Sequence, residues 1–284
     1  MKPTFIFGIG AQKAGTTWLH DQLRRHPRFA FPFHKELHVF NVRYCRDLCG
    51  QFLDRRVLSL LKNDYAERAA GTKKLEEVDE EIGLIIRAFV YDEDYLKIFA
   101  PSRLGQYAFT GDFSTLYTLL PVEGLQRMRD VVEGAGYAPC VIFLMRDPIT
   151  RYYSALRMLD TTEATEKAFA RFTPSLERPF HRANGAYDEI IERLETVFAP
   201  DEILYGLYEN LFNDAFAARV REFLTIKHLP MHYAKRVNVS RDGSPLTEEM
   251  VEAAVDVYRP VYAYCAERFP ETAELWPYAK RALA

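Results

Sequence analysis

Between residues 8 and 19 the chain reads GIGAQKAGTTWL, and its glycines, hydroxyls and lysine are spaced to hold a phosphate-like anion. Gly10 and Gly15 occupy the glycine positions of the phosphate-loop pattern G-x-x-x-x-G-K-[ST]. The lysine that should follow the second glycine is replaced by Thr16 and Thr17, and the lysine of the stretch is Lys13, in mid-loop. Glycines permit the backbone angles at which successive N–H groups converge on an anion, and the start of a helix adds a positive dipole end. Thr16 and Thr17 add hydroxyl donors. In a nucleoside triphosphatase the lysine after the last glycine reaches the β- and γ-phosphates; Lys13 would approach from another side. Two glycines alone describe an ordinary strand-to-helix turn with a solvated lysine, but the full string QKAGTTWL weighs against that reading.

Two further stretches carry chemistry. In VIFLMRDPITRYYSAL, Arg146 ends an apolar run and Ser154 follows eight residues later. A guanidinium is a planar fork matched to phosphate oxygens, and a serine on the next helix adds a donor. Taken singly, each residue has a plainer explanation, a strand-end ion pair and a helix-surface serine; Arg151 between them reads as a structural pairing residue. In FHKELHVFN, Glu36 stands between His34 and His38, three titratable side chains within five residues. A solvated Lys35–Glu36 pair is the plainer alternative there.

These residues need elements to position them. TFIFGIG (4–10) reads as a buried parallel strand and GTTWLHDQLRRHP as the helix after it, ended by Pro27. A second strand is expected over 140–145 and a third over 202–208, with a short one inside YAFTGDFSTLY. Asp147 and Pro148 suit the cap and first turn of a helix, and Thr247 begins a long closing helix. GAYDEIIERLETVF and LEEVDEEIGLIIRAF read as amphipathic helices. Strands alternating with helices imply an α/β fold, P-loop-like and three-layered, with a central, mostly parallel sheet flanked by helices. The expectation is a single domain over 1–284, with a charged helical insertion at about 44–105 shaping the acceptor side.

Composition bounds the rest. The 284 residues are 48% hydrophobic and 27% charged, an ordinary balance for a globular chain with a sizeable core. A net charge of -3 argues against a broad nucleic-acid footprint. Cys45, Cys49, Cys140 and Cys265 lack a second Cys/His pair at ligand spacing and read as reduced thiols; no metal site is expected. The apolar run FIFGIG is too short for a signal core or a membrane span, so a cytoplasmic chain without stable membrane insertion is expected. Oligomeric state has no signature in the sequence.

PTFIFGIGAQKAGTTWLHDQLRRHP resembles the 5′-phosphosulfate loop, x-K-x-G-T-T-x-L, of the sulfotransferases that use 3′-phosphoadenosine 5′-phosphosulfate (PAPS). The resemblance assigns Gln12, Lys13, Ala14, Gly15, Thr16, Thr17 and Trp18 to the nucleotide, with Lys13 serving the bridging oxygen and departing phosphate. It implies that Arg146 and Ser154 bind the 3′-phosphate that separates PAPS from ATP. FHKELHVFN resembles the K-E-x-x-F-F segment of the heparan-sulfate-type and related bacterial members, whose glutamate is the base; that is Glu36 here. The small-molecule branch of the family uses a histidine, which keeps His38 and His34 in contention. GDFSTLY departs from the family's G-E-K-S-P-x-Y at Phe113 and Thr115, so a helper lysine is missing and the part played by Asp112 is open. Asn210 replaces a usual acid, and AKRVNVSRDG falls where relatives close a loop over the nucleotide, with Arg236 the candidate. The likeness runs over about 4–278 and implies transfer of a sulfuryl group from PAPS to a small-molecule, glycan or lipid hydroxyl, leaving PAP, with no metal. Two rivals stay open: an ATP-dependent small-molecule kinase, since VIFLMRD mimics a Walker B strand ending in Asp147, and a GTP-binding switch protein.

Overall fold

The computed structural model describes residues 2–69, 80–158, 164–233 and 245–284. In chain order the elements are β1 (Thr4–Gly10), α1 (Thr16–Arg24), α2 (Val39–Tyr44), α3 (Arg46–Ala69), α4 (Glu80–Val90), α5 (Pro101–Leu104), β2 (Phe109–Asp112), α6 (Val122–Gly134), β3 (Ala138–Met145) and α7 (Pro148–Met158). There follow α8 (Ala164–Leu176), α9 (Pro179–Ala183), α10 (Tyr187–Val197), β4 (Ile203–Leu207), α11 (Asp214–Phe223), α12 (Glu248–Arg268), α13 (Thr272–Leu275) and α14 (Ala279–Ala282). Tight 3-10 turns at Asp92–Phe99 and Thr115–Leu119 flank β2.

The four strands form one parallel sheet in the order β2-β1-β3-β4, so the first strand lies in the interior. Phe7 of β1 pairs with Asp112 on one side and Val141 on the other. Phe5, Ile6, Phe7 and Ile9 are all buried, as a strand covered on both faces requires. Each such side chain contributes about 1.5–3 kcal/mol of burial, so a charge placed at Ile6 or Val141 would break the sheet. The helices bury one stripe each: α10 turns Tyr187, Ile190, Ile191 and Leu194 inward, at i, i+3, i+4 and i+7. The long α12 packs on α7, α8 and α10. Its first turn is capped by Thr247, which accepts from the Met250 N–H at 3.3 Å.

Boundaries differ from the sequence expectation in small ways. α1 stops at Arg24 rather than at Pro27. β3 begins at Ala138 and takes in Pro139, whose missing N–H is tolerated at a strand start. The amphipathic segment around 75–90 is helical from Glu80; its first residues lie outside the described ones. The four cysteines are free and buried. No described helix is long and apolar enough to cross a membrane.

Candidate active site

The glycine loop lies where β1 ends and α1 begins. Gly15 takes φ 90°, and a Cβ there would sit 2.5 Å from Leu211 Cδ1 and 3.3 Å from Tyr208 Cδ2. Glycine is therefore needed twice over, for the left-handed angle and for the close approach of the 208–211 segment. The Ala11 N–H donates to the Leu144 carbonyl at 2.6 Å and the Ala14 N–H to the Ala11 carbonyl at 3.1 Å, which ties the loop to β3. α1 starts with no side-chain cap, so the amides of its first turn are the anion-seeking end of the helix. Lys13 rides on top with φ 70°. Gln12, Lys13 and Thr17 are half-buried, whereas Ala14, Thr16 and Trp18 are buried. The Trp18 ring packs edge-on to Phe212 at 4.9 Å, so its side chain anchors α1.

Arg146 reaches this loop from the end of β3. Its Nη1 donates to the Lys13 carbonyl at 3.3 Å, and its guanidinium lies 4.4 Å from the centre of the Tyr208 ring. Ser154 is buried on α7, and Arg157 follows one turn later on the same face, its guanidinium 4.6 Å over the Tyr153 ring. Burial, followed by the charges of Arg146 and Arg157, holds the Lys13 ammonium below its usual range, while Glu36 acts in the opposite sense. Three cations thus crowd one loop.

The opposing carboxylate comes from the chain's return after α1. Glu36 and His38 both adopt left-handed backbone, with φ 62° and 57°, an arrangement that costs energy in residues other than glycine. Lys35 Nζ donates to Thr17 Oγ1 at 3.0 Å and lies 3.4 Å from Glu36 Oε1. The other oxygen, Glu36 Oε2, is 3.6 Å from Nε2 of the fully buried His38. Asn41 Nδ2 donates to the Leu116 carbonyl at 2.7 Å, which leaves Asn41 Oδ1 as the acceptor 3.2 Å from His38 Nδ1. The network therefore assigns a ring proton to Nδ1, and Nε2 is the ring atom that faces Glu36. His34 goes elsewhere: its ring lies 2.9 Å from Glu81 Oε1, and the Phe33 and His34 amides donate to the same carboxylate at 3.1 and 2.7 Å. Burial pushes the Glu81 carboxyl up, but these donors outweigh it and hold it below its usual range.

Other residues read from the sequence fall as follows. Asp147 is the helix cap: Oδ1 accepts from the Thr150 N–H and hydroxyl at 2.8 and 2.5 Å, and Oδ2 from the Tyr262 hydroxyl at 2.7 Å. Burial pushes its carboxyl up, and those donors pull it back in part. Arg151, expected as a structural pairing residue, is buried beside Gly185 and Tyr258, with no carboxylate partner in any ion pair among the described residues. Phe113, in place of the family's lysine, covers Gly8, where a Cβ would sit 2.2 Å from its ring. Arg236 lies outside the described residues. No cluster of three or more His, Cys, Asp or Glu able to hold a metal ion occurs among the described residues. Three neighbours escaped the sequence reading, Asn41, Arg157 and Tyr208; Lys35, read there as a partner of Glu36, also donates to Thr17. Only Arg157 had a local signal, its i+3 spacing from Ser154 on one helix.

An interior glycine loop at the carboxyl end of a parallel sheet, followed by a helix, defines a P-loop-like nucleotide-binding fold. The profile described as the sulfotransferase family matches residues 3–230, and the chain belongs to that family. A sulfotransferase crystal structure from Alicyclobacillus acidocaldarius is similar over 94% of this chain and 96% of its own, with 17% identity and a TM-score of 0.60, and shares the fold. The sulfotransferase domain of the Synechococcus PCC 7002 olefin synthase aligns with 17% identity over 92% of this chain and 94% of its own, TM-score 0.44. The sulfotransferase domain of the curacin biosynthetic pathway aligns with 18% identity over 90% and 97%, TM-score 0.42. A search of curated sequences returns no match.

Proposed function

We propose that the protein moves a sulfuryl group from PAPS to the hydroxyl of a polar acceptor such as a sugar, a lipid headgroup or a small alcohol. The observation that carries this reading is the gathering of cations at one helix N-terminus: Arg146 Nη1 donates to the Lys13 carbonyl at 3.3 Å, and burial, then the charges of Arg146 and Arg157, hold the Lys13 ammonium below its usual range. Such crowding is relieved by a polyanion, and PAPS brings phosphates at both ends of its ribose. The loop amides with Lys13 and Thr17 hold the 5′-phosphosulfate; Arg146, stacked on Tyr208, and Ser154 hold the 3′-phosphate. Trp18 contributes its backbone and its packing. Arg236 is kept as the residue that closes over the nucleotide.

Glu36 takes the acceptor's proton. The new bond forms between the acceptor oxygen and sulfur, the bond from sulfur to the 5′-phosphate oxygen breaks, and PAP leaves with that electron pair. Lys13 stabilises the charge that develops on the departing phosphate, and this preorganised electrostatic contribution supplies much of the rate. His38 stands behind Glu36, with Nε2 3.6 Å from Oε2. The chain is one domain, and its helical segment at about 44–105 shapes the acceptor side; Phe52 of α3 meets the His38 ring edge-on at 5.5 Å. The kinase reading fares worse: both Asp147 oxygens are spent on capping and tyrosine contacts, so this carboxylate is not turned toward a metal-bound phosphate.

Calorimetric titration with PAP, ATP–Mg²⁺ and GTP–Mg²⁺ tests the donor. PAP is expected to bind, to raise the melting temperature, and to do so equally in excess EDTA. Stabilisation by ATP–Mg²⁺ and not by PAP would replace this reading with the kinase one. A mass screen for gain of one SO₃ across candidate hydroxyl acceptors identifies the second substrate.

A further inference from the structure

Asp112 ends β2 next to the site, is 2% exposed, and has no cationic side chain against it in any ion pair among the described residues. Its two oxygens nevertheless collect three hydroxyl donors. Oδ1 accepts from Ser114 Oγ at 2.6 Å; Oδ2 accepts from the Tyr117 hydroxyl at 2.7 Å and the Tyr95 hydroxyl at 3.1 Å. Ser114 Oγ has one proton, which goes to Asp112, and its lone pair faces the His38 backbone N–H at 3.0 Å. His38 holds the left-handed angle φ 57°, and Ser114, Tyr95, Tyr117 and His38 are each fully buried.

We propose that Asp112 is a positioning residue for the base, acting through Ser114 on the His38 backbone and so on the His38–Glu36 contact. This rests on the proposal that Glu36 and His38 form the basic half of the site. The three hydroxyls can all donate to this one group, and an ionised carboxylate accepts all three with a lone-pair site to spare. Oδ1 holds the segment carrying the base. Oδ2 holds Tyr95 of the Asp92–Phe99 turn and Tyr117 of the turn after β2, so the same carboxylate ties the acceptor-side helical region to the sheet. Burial pushes the Asp112 carboxyl up, and Ser114 and then Tyr117, His38 and Tyr95 pull it back. Because β2 pairs with β1 in the register Asp112 opposite Phe7, the hub is referenced to the strand that carries the phosphate loop. Distance between donor loop and base is thereby set through one buried carboxylate. The place left by the family's lysine is taken by Phe113, which packs beside Gly8, so no neighbouring ammonium in the strand end competes for Asp112.

Ser114→Ala removes the relay with little change in volume, Ser114→Thr restores the hydroxyl, and Asp112→Asn removes the charge while keeping the shape. The readout is the NMR chemical shift of the His38 ring at one fixed pH in each background, with and without Glu36→Gln, alongside PAP affinity by calorimetry. The groups facing that ring are Glu36, Asp112, Asn41, Tyr117 and Phe52. In the otherwise unchanged protein Glu36→Gln is expected to move the His38 ring signals, since Nε2 lies 3.6 Å from Glu36 Oε2. In Ser114→Ala and Asp112→Asn that response is expected to shrink or vanish, PAP affinity to stay within about twofold, and kcat to fall on the order of 10²-fold, the scale of a misplaced catalytic group. Recovery in Ser114→Thr is expected. If folded Ser114→Ala and Asp112→Asn both keep the full Glu36–His38 response, the positioning role is overturned. If the coupling behaves as expected but the unaltered protein neither binds PAP nor transfers SO₃, the positioning stands and the sulfotransfer reading is what fails.

Discussion

The two halves of the proposed site, donor and base, are built in different ways. The donor half comes mostly from one contiguous stretch, with Gly10 and Gly15 supplying two of its three positive-φ angles, Lys13 the third, and a helix end supplying the field. Its added cations, Arg146 and Arg157, arrive on the next strand-to-helix unit in the sheet. The base half has no glycine where it needs one: Glu36 and His38 take left-handed backbone between tertiary anchors, the His34 amide on Glu81 of α4, the His38 amide on Ser114 just after β2, and Asn41 on Leu116 of the turn that follows. A site can thus be preorganised through chain identity or through tertiary clamps, and the second kind is open to disruption from a distance.

Four measurements sharpen that contrast. The largest effect is expected at the base: Glu36→Gln should lower kcat by about 10²–10⁴ while leaving PAP affinity nearly intact. Near-normal turnover there, with collapse in His38→Ala, would move the base to the histidine. Next comes Lys13→Ala, with kcat down about 10²–10³ and a smaller loss of PAPS affinity, as for a donor that matters most in the transition state. A mutant that loses affinity alone would make Lys13 a ground-state anchor. Arg146→Ala should weaken PAP by about 2–4 kcal/mol. Adenosine 5′-phosphosulfate, which has no 3′-phosphate, should be affected much less; equal losses would assign Arg146 to the loop instead.

The smallest effect concerns the floor between the halves. His20 of α1 packs on Phe31 at 4.7 Å and on Phe113 at 5.1 Å, and burial pushes its pKa down to about 3 from 6.5. The 3.9 Å approach of Asp21 does not offset that burial. Below pH 6.5 the unfolded chain takes up a proton that the native ring refuses, so stability falls as pH drops from 6.5 toward 3. At pH 5 the loss from this group is about 2 kcal/mol. His20→Leu should flatten the acid limb of a melting-temperature profile; an unchanged limb would show that the acid sensitivity comes from other groups.

Much of the donor half was legible because its determinants are local. A glycine spacing, a helix start and a strand-end arginine are written within a few residues of one another, and α/β alternation places them at one sheet edge whatever the rest of the chain does. The Asp147 cap was readable for the same reason. The base half was only partly legible. Glu36 stood out by type and by resemblance, but His34 and His38 looked equivalent, each two residues away. What separates them is Glu81, 47 residues downstream of His34, and Ser114, 76 residues downstream of His38.

By itself the sequence determined the parallel sheet, the phosphate loop with its displaced lysine, and the arginine that joins it, since burial periodicity and turn chemistry are properties of neighbours along the chain. Only the tertiary structure decided which histidine meets the carboxylate, that Lys35 turns to Thr17, and that Asp112 gathers Ser114, Tyr117 and Tyr95. Hydrogen bonds between buried groups act over about 3 Å. Their partners are chosen by which segments the sheet and its helices bring together, and separation along the chain carries no trace of that choice.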